Sequence, residues 1–428
     1  MRRRVCTAWC VLLLVPAAGR SQEEALSPPH EAQATSEIKV PYGFYNDLFG
    51  AAGAFLYARG GFPQKQSQLL VTGMVGTAGS GMLFMRAQDL LVPGFDRLFA
   101  DPIFSLAYFH GDYAYVSGNP RYQLQQAGTN DSAYGNYITG NGWDNYLRVS
   151  FRYLLPIGWG RDHVVNEYRL EGGLLYSGAT GGESLNPLTS GKTFVELRPF
   201  YRSLSLEASG VNVSQKTNGV DVSLIWDNRD FVTNPSVGQS MTLRWSRDFG
   251  WLDSTNPWTV VAGELDQYFS LGRSDWFRQR VIALDLWTAD SPSWEYRSNG
   301  TIVNRSPIFA GAHLGGWWRM RGYRFARFSD KAAIYYAAEY RMIPRWNPFT
   351  SWRSLQERLG VDWIQLVPFA ELGRVAPSWN LGELHSDMKW DLGFGLRALA
   401  KGLLVRVDVA GSREGAAVQM MVGHPFQF

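Results

Sequence analysis

Three short pairings of a histidine with an acid are where this 428-residue sequence could do general acid–base chemistry: His110-x-Asp112, Asp162-His163 and His385-x-Asp387. A hydrolase needs such a pair beside an activated nucleophile, and no GxSxG, HExxH or phosphate-binding glycine loop accompanies any of them. Its only two cysteines, Cys6 and Cys10, lie in an N-terminal leader-like run, so the mature chain has no thiolate chemistry, disulfide or Cys-ligated metal. No metal and no cofactor is expected. A different constellation is the stronger candidate. Leu314-Gly315-Gly316-Trp317-Trp318-Arg319-Met320-Arg321-Gly322-Tyr323 is followed by Ala338-Glu339-Tyr340-Arg341 and Phe369-Ala370-Glu371-Leu372-Gly373. A guanidinium that reached both carboxylates would form charge-assisted hydrogen bonds, a locking interaction rather than a catalytic one.

The elements that must position these residues read as short strands. The chain is 45% hydrophobic and 14% aromatic, with 45 glycines, and charged residues make up only 18%. That profile is neither disordered nor disulfide-rich, and it favours many aromatic strands over long helices. Arg2-Arg3-Arg4, the apolar run Val5 to Val15 and Ala17-Ala18-Gly19 form a secretory signal peptide over residues 1–19. Its removal takes the formal net charge from +3 to zero, so no nucleic-acid partner is expected. Residues 20–47 are polar and proline-containing and read as a short periplasmic segment, with a barrel over 48–428. The uncharged stretch Gln66 to Met85 is long enough for a membrane helix, but Thr77-Ala78-Gly79-Ser80-Gly81 reads as a turn between two strands.

Period-2 alternation is clearest in the second half. Val220, Val222, Leu224 and Trp226 oppose Asp221, Ser223 and Asp227, and Val405, Val407 and Val409 oppose Arg406 and Asp408. Alternation alone does not choose between a sandwich with its apolar face inside and a transmembrane barrel with that face toward lipid. Segments of about ten residues suit a tilted crossing of a bilayer. Trp143, Trp159, Trp258, Trp276 and Trp390 near segment ends suit interfacial girdles. The chain closes on Val418, Met420, Val422, Phe426 and Phe428 of one parity, a C-terminal barrel signal. A soluble propeller would also have many short strands, but no blade-length repeat is present. The expectation is an all-β transmembrane antiparallel barrel of about sixteen strands. Its first strand is 49–59, its sixth 163–176, its thirteenth 361–373 and its last 418–428, and residues 289–330 form a long sixth external loop. Strict up-and-down parity places 114–142 and 177–192 on the periplasmic side.

On the Arg-Gly-aromatic loop and the segments that follow it, the sequence resembles the BamA/TamA superfamily of outer-membrane barrels. Two further motifs agree: Asp227-Asn228-Arg229-Asp230 with Pro235 and Gly238 is similar to the family's strand-turn-strand motif, and Phe369-x-Glu371-x-Gly373 to its Phe-x-Asp-x-Gly motif. The resemblance covers roughly residues 215–428. It implies a bacterial outer-membrane location, a non-enzymatic role in inserting or translocating proteins or lipids, and a sixth loop folded into the lumen. The lock would be built from Gly315, Gly316, Arg321, Gly322, Tyr323, Glu339, Phe369, Glu371 and Gly373. It also implies a weak seam between first and last strands, where Gly50, Gly53, Gly423 and Pro425 either weaken edge pairing or relieve curvature. Implied partners are outer-membrane lipids, unfolded outer-membrane clients or a separate periplasmic subunit. Two departures stand out: glutamate at 371 where the family has aspartate, and no room in residues 20–47 for a POTRA domain. A passive channel or structural barrel, and more remotely a barrel hydrolase, are the competing readings.

Overall fold

The computed structural model describes residues 36–46, 48–208, 210–298, 301–351, 360–400 and 403–422. The leader, Cys6, Cys10, the cleavage point after Gly19, and Gly423, Pro425, Phe426 and Phe428 lie outside the described residues. Among the described residues, sixteen long strands run in chain order. The first six are β1 (Ser36–Asn46), β2 (Gly50–Gly60), β3 (Gln68–Gly76), β4 (Gly81–Gln88), β5 (Leu98–Ala114) and β6 (Ile138–Leu154). The next five are β7 (Lys192–Ala208), β8 (Val211–Asp227), β9 (Gly238–Asp248), β10 (Trp258–Ser270) and β11 (Phe277–Asp290). The last five are β12 (Ala332–Pro344), β13 (Val361–Ala376), β14 (Lys389–Ala400), β15 (Leu403–Ser412) and β16 (Gly415–Val422). Each pairs antiparallel with its sequence neighbours, from β1–β2 through to β15–β16, in one meander.

The sense of burial decides what the alternation could not. Leu83, Leu106, Leu147, Leu243 (58% exposed), Leu284, Leu392 and Val409 lie on the outer face, while Arg198, Asp221, Glu339, Glu371, Arg397 and Asp408 are buried on the inner one. A chain in water would not expose its leucines and sequester its ion pairs along every strand; facing lipid it must. This is a transmembrane barrel.

The total of sixteen strands agrees with the sequence, but two errors in the N-terminal half cancel. Ser36–Asn46 is a full strand, paired with β2 along its length, so the wall includes residues 36–46, ahead of the expected start at 48, and 49–59 follows it as the second described strand. Proline and charge in that stretch hid the alternation. Residues 163–176 are no wall strand: they contain only a small hairpin, Arg169–Glu171 with Leu174–Ser177, in the connection between β6 and β7. Residues 66–85 form β3, a turn and β4, as expected. With the count corrected, 115–137 and 291–331 leave the wall at the same rim, here called the loop rim, and 155–191 leaves it at the opposite rim. Trp143, Trp276 and Trp390 are exposed on the outside, but Trp258 is an inward-facing residue, 2% exposed, that donates to Thr217 Oγ1 at 3.0 Å.

Two segments fill the lumen. The β11–β12 loop, L6 (291–331), packs Ala312, Leu314, Met320, Tyr323 and Phe328 against Trp258, Tyr268 and Tyr335 of the wall. At the opposite rim the β6–β7 connection (155–191) crosses from one wall to the far one. Its hairpin tip lies against β13 and β14, where Trp363 Nε1 donates to Gly173 O at 2.9 Å and Leu174 joins Ile343, Trp363, Leu399 and Leu404. A Cβ at Gly173 would lie 2.8 Å from Asp362 Cβ and 2.9 Å from Leu399, so only glycine allows this approach.

Candidate functional site

L6 reverses tightly before it reaches the wall. Gly315 and Gly316 adopt φ of +107° and +110°, and a Cβ on Gly315 would stand 2.1 Å from Arg324 O. The turn is closed by Gly315 N–H to Arg319 O at 3.0 Å and Gly316 N–H to Tyr323 O at 3.1 Å. Its tip carries Arg321, 0% exposed, into the inner face of β12–β16. Arg321 Nε donates to Glu371 Oε1 at 3.0 Å, and its backbone N–H donates to Glu371 Oε2 at 2.6 Å. Nη1 reaches Glu339 Oε1 and Asp408 Oδ2, each at 3.0 Å. The guanidinium lies 3.5 Å above the centre of the Phe369 ring, a cation–π contact. All three motif elements thus meet at one point, and the additional methylene of Glu371 lets its carboxylate span the Arg321 side chain and backbone together.

The remaining sequence-derived residues complete the seat. Gly322 donates its N–H to Asp391 Oδ2 at 3.0 Å, and a Cβ there would lie 2.6 Å from Asp391 Cβ, so close approach rather than an unusual φ demands glycine. Tyr323 Oη donates to Trp390 O at 3.0 Å. Gly373 makes room for Leu314, whose Cδ1 would be 2.8 Å from an added Cβ. The strand-turn-strand residues lie elsewhere, at the opposite rim between β8 and β9. There Arg229 forks onto Asp227 (Nε–Oδ1 2.8 Å, Nη2–Oδ2 2.7 Å), and Asp230 accepts Ser236 N–H at 2.8 Å. Pro235 is buried in the turn, and Gly238, at φ +98°, would place a Cβ 2.0 Å from Asn228 O. This motif shapes a turn and does not touch the lock.

Several lock members were not singled out in the sequence. They are Asp391 and Asp408, Arg397, whose Nη2 meets Glu339 Oε1 at 2.7 Å, Arg341, which meets Glu339 Oε2 at 2.8 Å, and Arg406, which meets Asp408 at 3.3 Å. Arg321, Arg341, Arg397 and Arg406 stand against Glu339, Glu371, Asp391 and Asp408, a balanced set of four and four on β12–β15 and L6. Tyr335 Oη donates to Glu371, and Gln419 of β16 donates to Arg321 O at 3.2 Å. The available signal was the inward parity of Asp391, Arg397, Arg406 and Asp408 in the same strands. Two further L6 arginines follow at intervals of three. Arg324 lies over Tyr113, Tyr134 and Tyr137, and Arg327 binds Glu414 (Nη2–Oε1 2.7 Å) and Ser132 Oγ (2.9 Å). Enclosure in L6, with Arg319 nearby, pulls the His313 imidazole down to about 4.

No ion pair between the acid and the histidine forms at His110, His163 or His385 among the described residues. His163 stacks on Trp159, and His385 meets the Tyr336 hydroxyl at 2.8 Å.

No protein-family model and no curated protein matches the sequence. Among solved structures, CdiB from Escherichia coli superposes with a TM-score of 0.53 at 11% identity, over 91% of this chain and 61% of that one. The chain has the CdiB barrel fold. BamA from Haemophilus ducreyi, in a crystal structure lacking POTRA domains 1–3, aligns with a TM-score of 0.43 at 12% identity, over 92% of this chain and 70% of that one.

Proposed function

We propose that this protein is an outer-membrane barrel that inserts or translocates proteins, or lipids, and is not an enzyme. The observation that carries the reading is the Arg321 seat: a loop threaded into the lumen and held by buried charge on four adjacent strands, an expensive device for a barrel that only spans a membrane. On this reading residues 1–19 export the chain, the loop rim faces outward and the 155–191 crossing faces the periplasm. Gln419 ties the lock to the last strand, next to the edge at which an incoming strand would pair. Outer-membrane lipids surround the wall, and unfolded clients or a separate periplasmic subunit are the partners.

The test is the folding rate of an unfolded client barrel in liposomes that contain the mature protein, an R321A variant or no protein. Acceleration by the wild type and its loss in R321A is the expected result. No acceleration by protein shown to be folded by heat-modifiable gel migration, together with a large conductance of the wild type that R321A does not change, would replace this reading with a passive channel.

A further inference from the structure

At the loop rim β8 outruns one of its two neighbours. β9 pairs with it only as far as Gly219, opposite Asp248, whereas β7 continues beside it to Val211. Beyond that point the β9–β10 loop (249–257) stands in for a strand over two positions. Asn218 N–H donates to Asp248 Oδ2 at 3.0 Å and to Ser254 Oγ at 2.9 Å. Lys216 N–H donates to Thr255 Oγ1 at 2.9 Å, and Thr255 N–H donates to Lys216 O at 2.8 Å. Lys216 thus turns its backbone groups away from β7, and the unshifted register with β7 gives Ser214 and Asn212 the same direction. Both residues are exposed, and on that side their N–H and C=O groups meet no partner among the described residues. Four main-chain groups are left in line on the free edge of a strand. Val211 and Val213, between them, join the cluster of Ile308 and Phe309 and hold the edge in place.

The edge opens on a cleft of about 260 Å³, walled by Val116 and Ser117, by Thr255 and Asn256, and by Arg305 and Pro307 of L6. Arg305 is partly exposed, and its guanidinium lies 4.6 Å from the centre of the Trp294 ring. Its nitrogens make no hydrogen bond or ion pair among the described residues, and Nη2 is sealed without a partner. Tyr296 and Asp330 act on it electrostatically, but they are bonded to each other, Oη to Oδ1 at 2.7 Å, and not to Arg305. Lys216, the cation beside the edge, is already paired with Asp253 at 2.9 Å. Two kinds of unmet bonding therefore meet in one cleft, a main-chain ladder and a guanidinium. A small anion would answer the guanidinium and leave the ladder bare, and a neutral strand would do the reverse. An extended peptide that carries a carboxylate answers both.

We propose that β8 accepts an added strand along residues 211–215: an extended segment of a partner protein pairs with the free N–H and C=O groups of Asn212 and Ser214 and places an aspartate or glutamate against Arg305. Recognition is of backbone and one acidic side chain, so the segment is unfolded or strand-forming and has no proline at the bonded positions. The cleft is separate from the Arg321 lock, and its occupancy does not depend on what the barrel transports.

A displayed library of random octapeptides would be selected on the full chain in non-ionic detergent, after depletion on S214P protein, and the most enriched peptide synthesised and titrated by fluorescence anisotropy. Proline at 214 deletes an edge N–H that nothing in the protein uses, so pairing with β7 should survive. The enriched peptide is expected to carry an acidic residue. S214P should weaken its dissociation constant at least tenfold and R305Q at least fivefold, with R305K recovering part of the loss and R273Q on an exposed turn changing nothing. A readout on the wild type alone does not rely on the variants folding: N-methylation of alternate peptide amides should abolish binding in one frame, the one facing the edge, and spare it in the other. No enrichment over the S214P depletion, tolerance of methylation in both frames, or binding to R305Q within twofold of wild type overturns the proposal. An acidic peptide that loses affinity in R305Q but tolerates both methylated frames would make the cleft a carboxylate site without an added strand.

Discussion

A guanidinium sealed from water is stable only if its charge is answered on every side. At Arg321 two carboxylates and an aspartate lie within 3.0 Å and an aromatic face lies beneath. Truncation in R321A strands three anions, an expected loss of about 3–5 kcal/mol in the stability of the seat. The choice of glutamate at 371 is testable on its own. Its carboxylate serves the Arg321 backbone N–H and Nε from one side chain, and aspartate falls one methylene short of both. E371D should cost about 1–2 kcal/mol, the value of a charged hydrogen bond partly lost, read as a lower temperature of heat-modifiable migration. Equal stability of E371D and wild type would show that the wall moves in to meet the shorter acid.

L6 is a loop only by its place between strands; in packing it is core. It replaces water in the lumen with Leu314, Met320, Tyr323 and Phe328, and its glycines are those its own reversal requires. His313 couples this element to pH. Released into solvent it titrates near 6.5, but seated it titrates near 4. Below pH 6.5 the released loop therefore binds a proton that the seated loop refuses, so the seat loses stability as pH falls from about 6.5 to about 4 and no further below that. With the small residual solvent contact discounted, the loss is about 1–2 kcal/mol. Protease cleavage within L6 should rise over that interval in the wild type and stay flat in H313Q. A flat profile in both would place the acid sensitivity elsewhere.

The whole molecule is closed twice. L6 fills the lumen from the loop rim, and the 155–191 crossing spans the other mouth, stitched to the far wall by Trp363, Arg278 and Leu174. Closures in series predict that opening one leaves the other resisting. Replacement of residues 163–178 by a short glycine–serine turn should leave single-channel conductance low in planar bilayers, and only its combination with R321A should produce a large pore. High conductance from the turn replacement alone would mean that L6 does not seal. A doubly closed lumen explains why the buried charges can be so numerous: they face packed protein rather than an open channel.

The sequence by itself determined the strand period, the inward parity of Glu339 and Glu371, and the loop that must bring Arg321 to them, because side-chain alternation is a local property of extended backbone. Which alternating face met lipid was not decided by that period; it came from the enclosure of the polar face by the wall and L6. Only the tertiary structure assigned Asp391, Arg397, Arg406 and Asp408 to the lock, since ion pairs between strands depend on register and curvature, which separate residues close in space by as many as 87 positions in sequence. The same holds for the misplaced strands. Ser36–Asn46 earns its place by pairing with β2 despite a weak pattern, and 163–176, with a better one, is excluded because its apolar residues are used across the mouth of the barrel instead of along its wall.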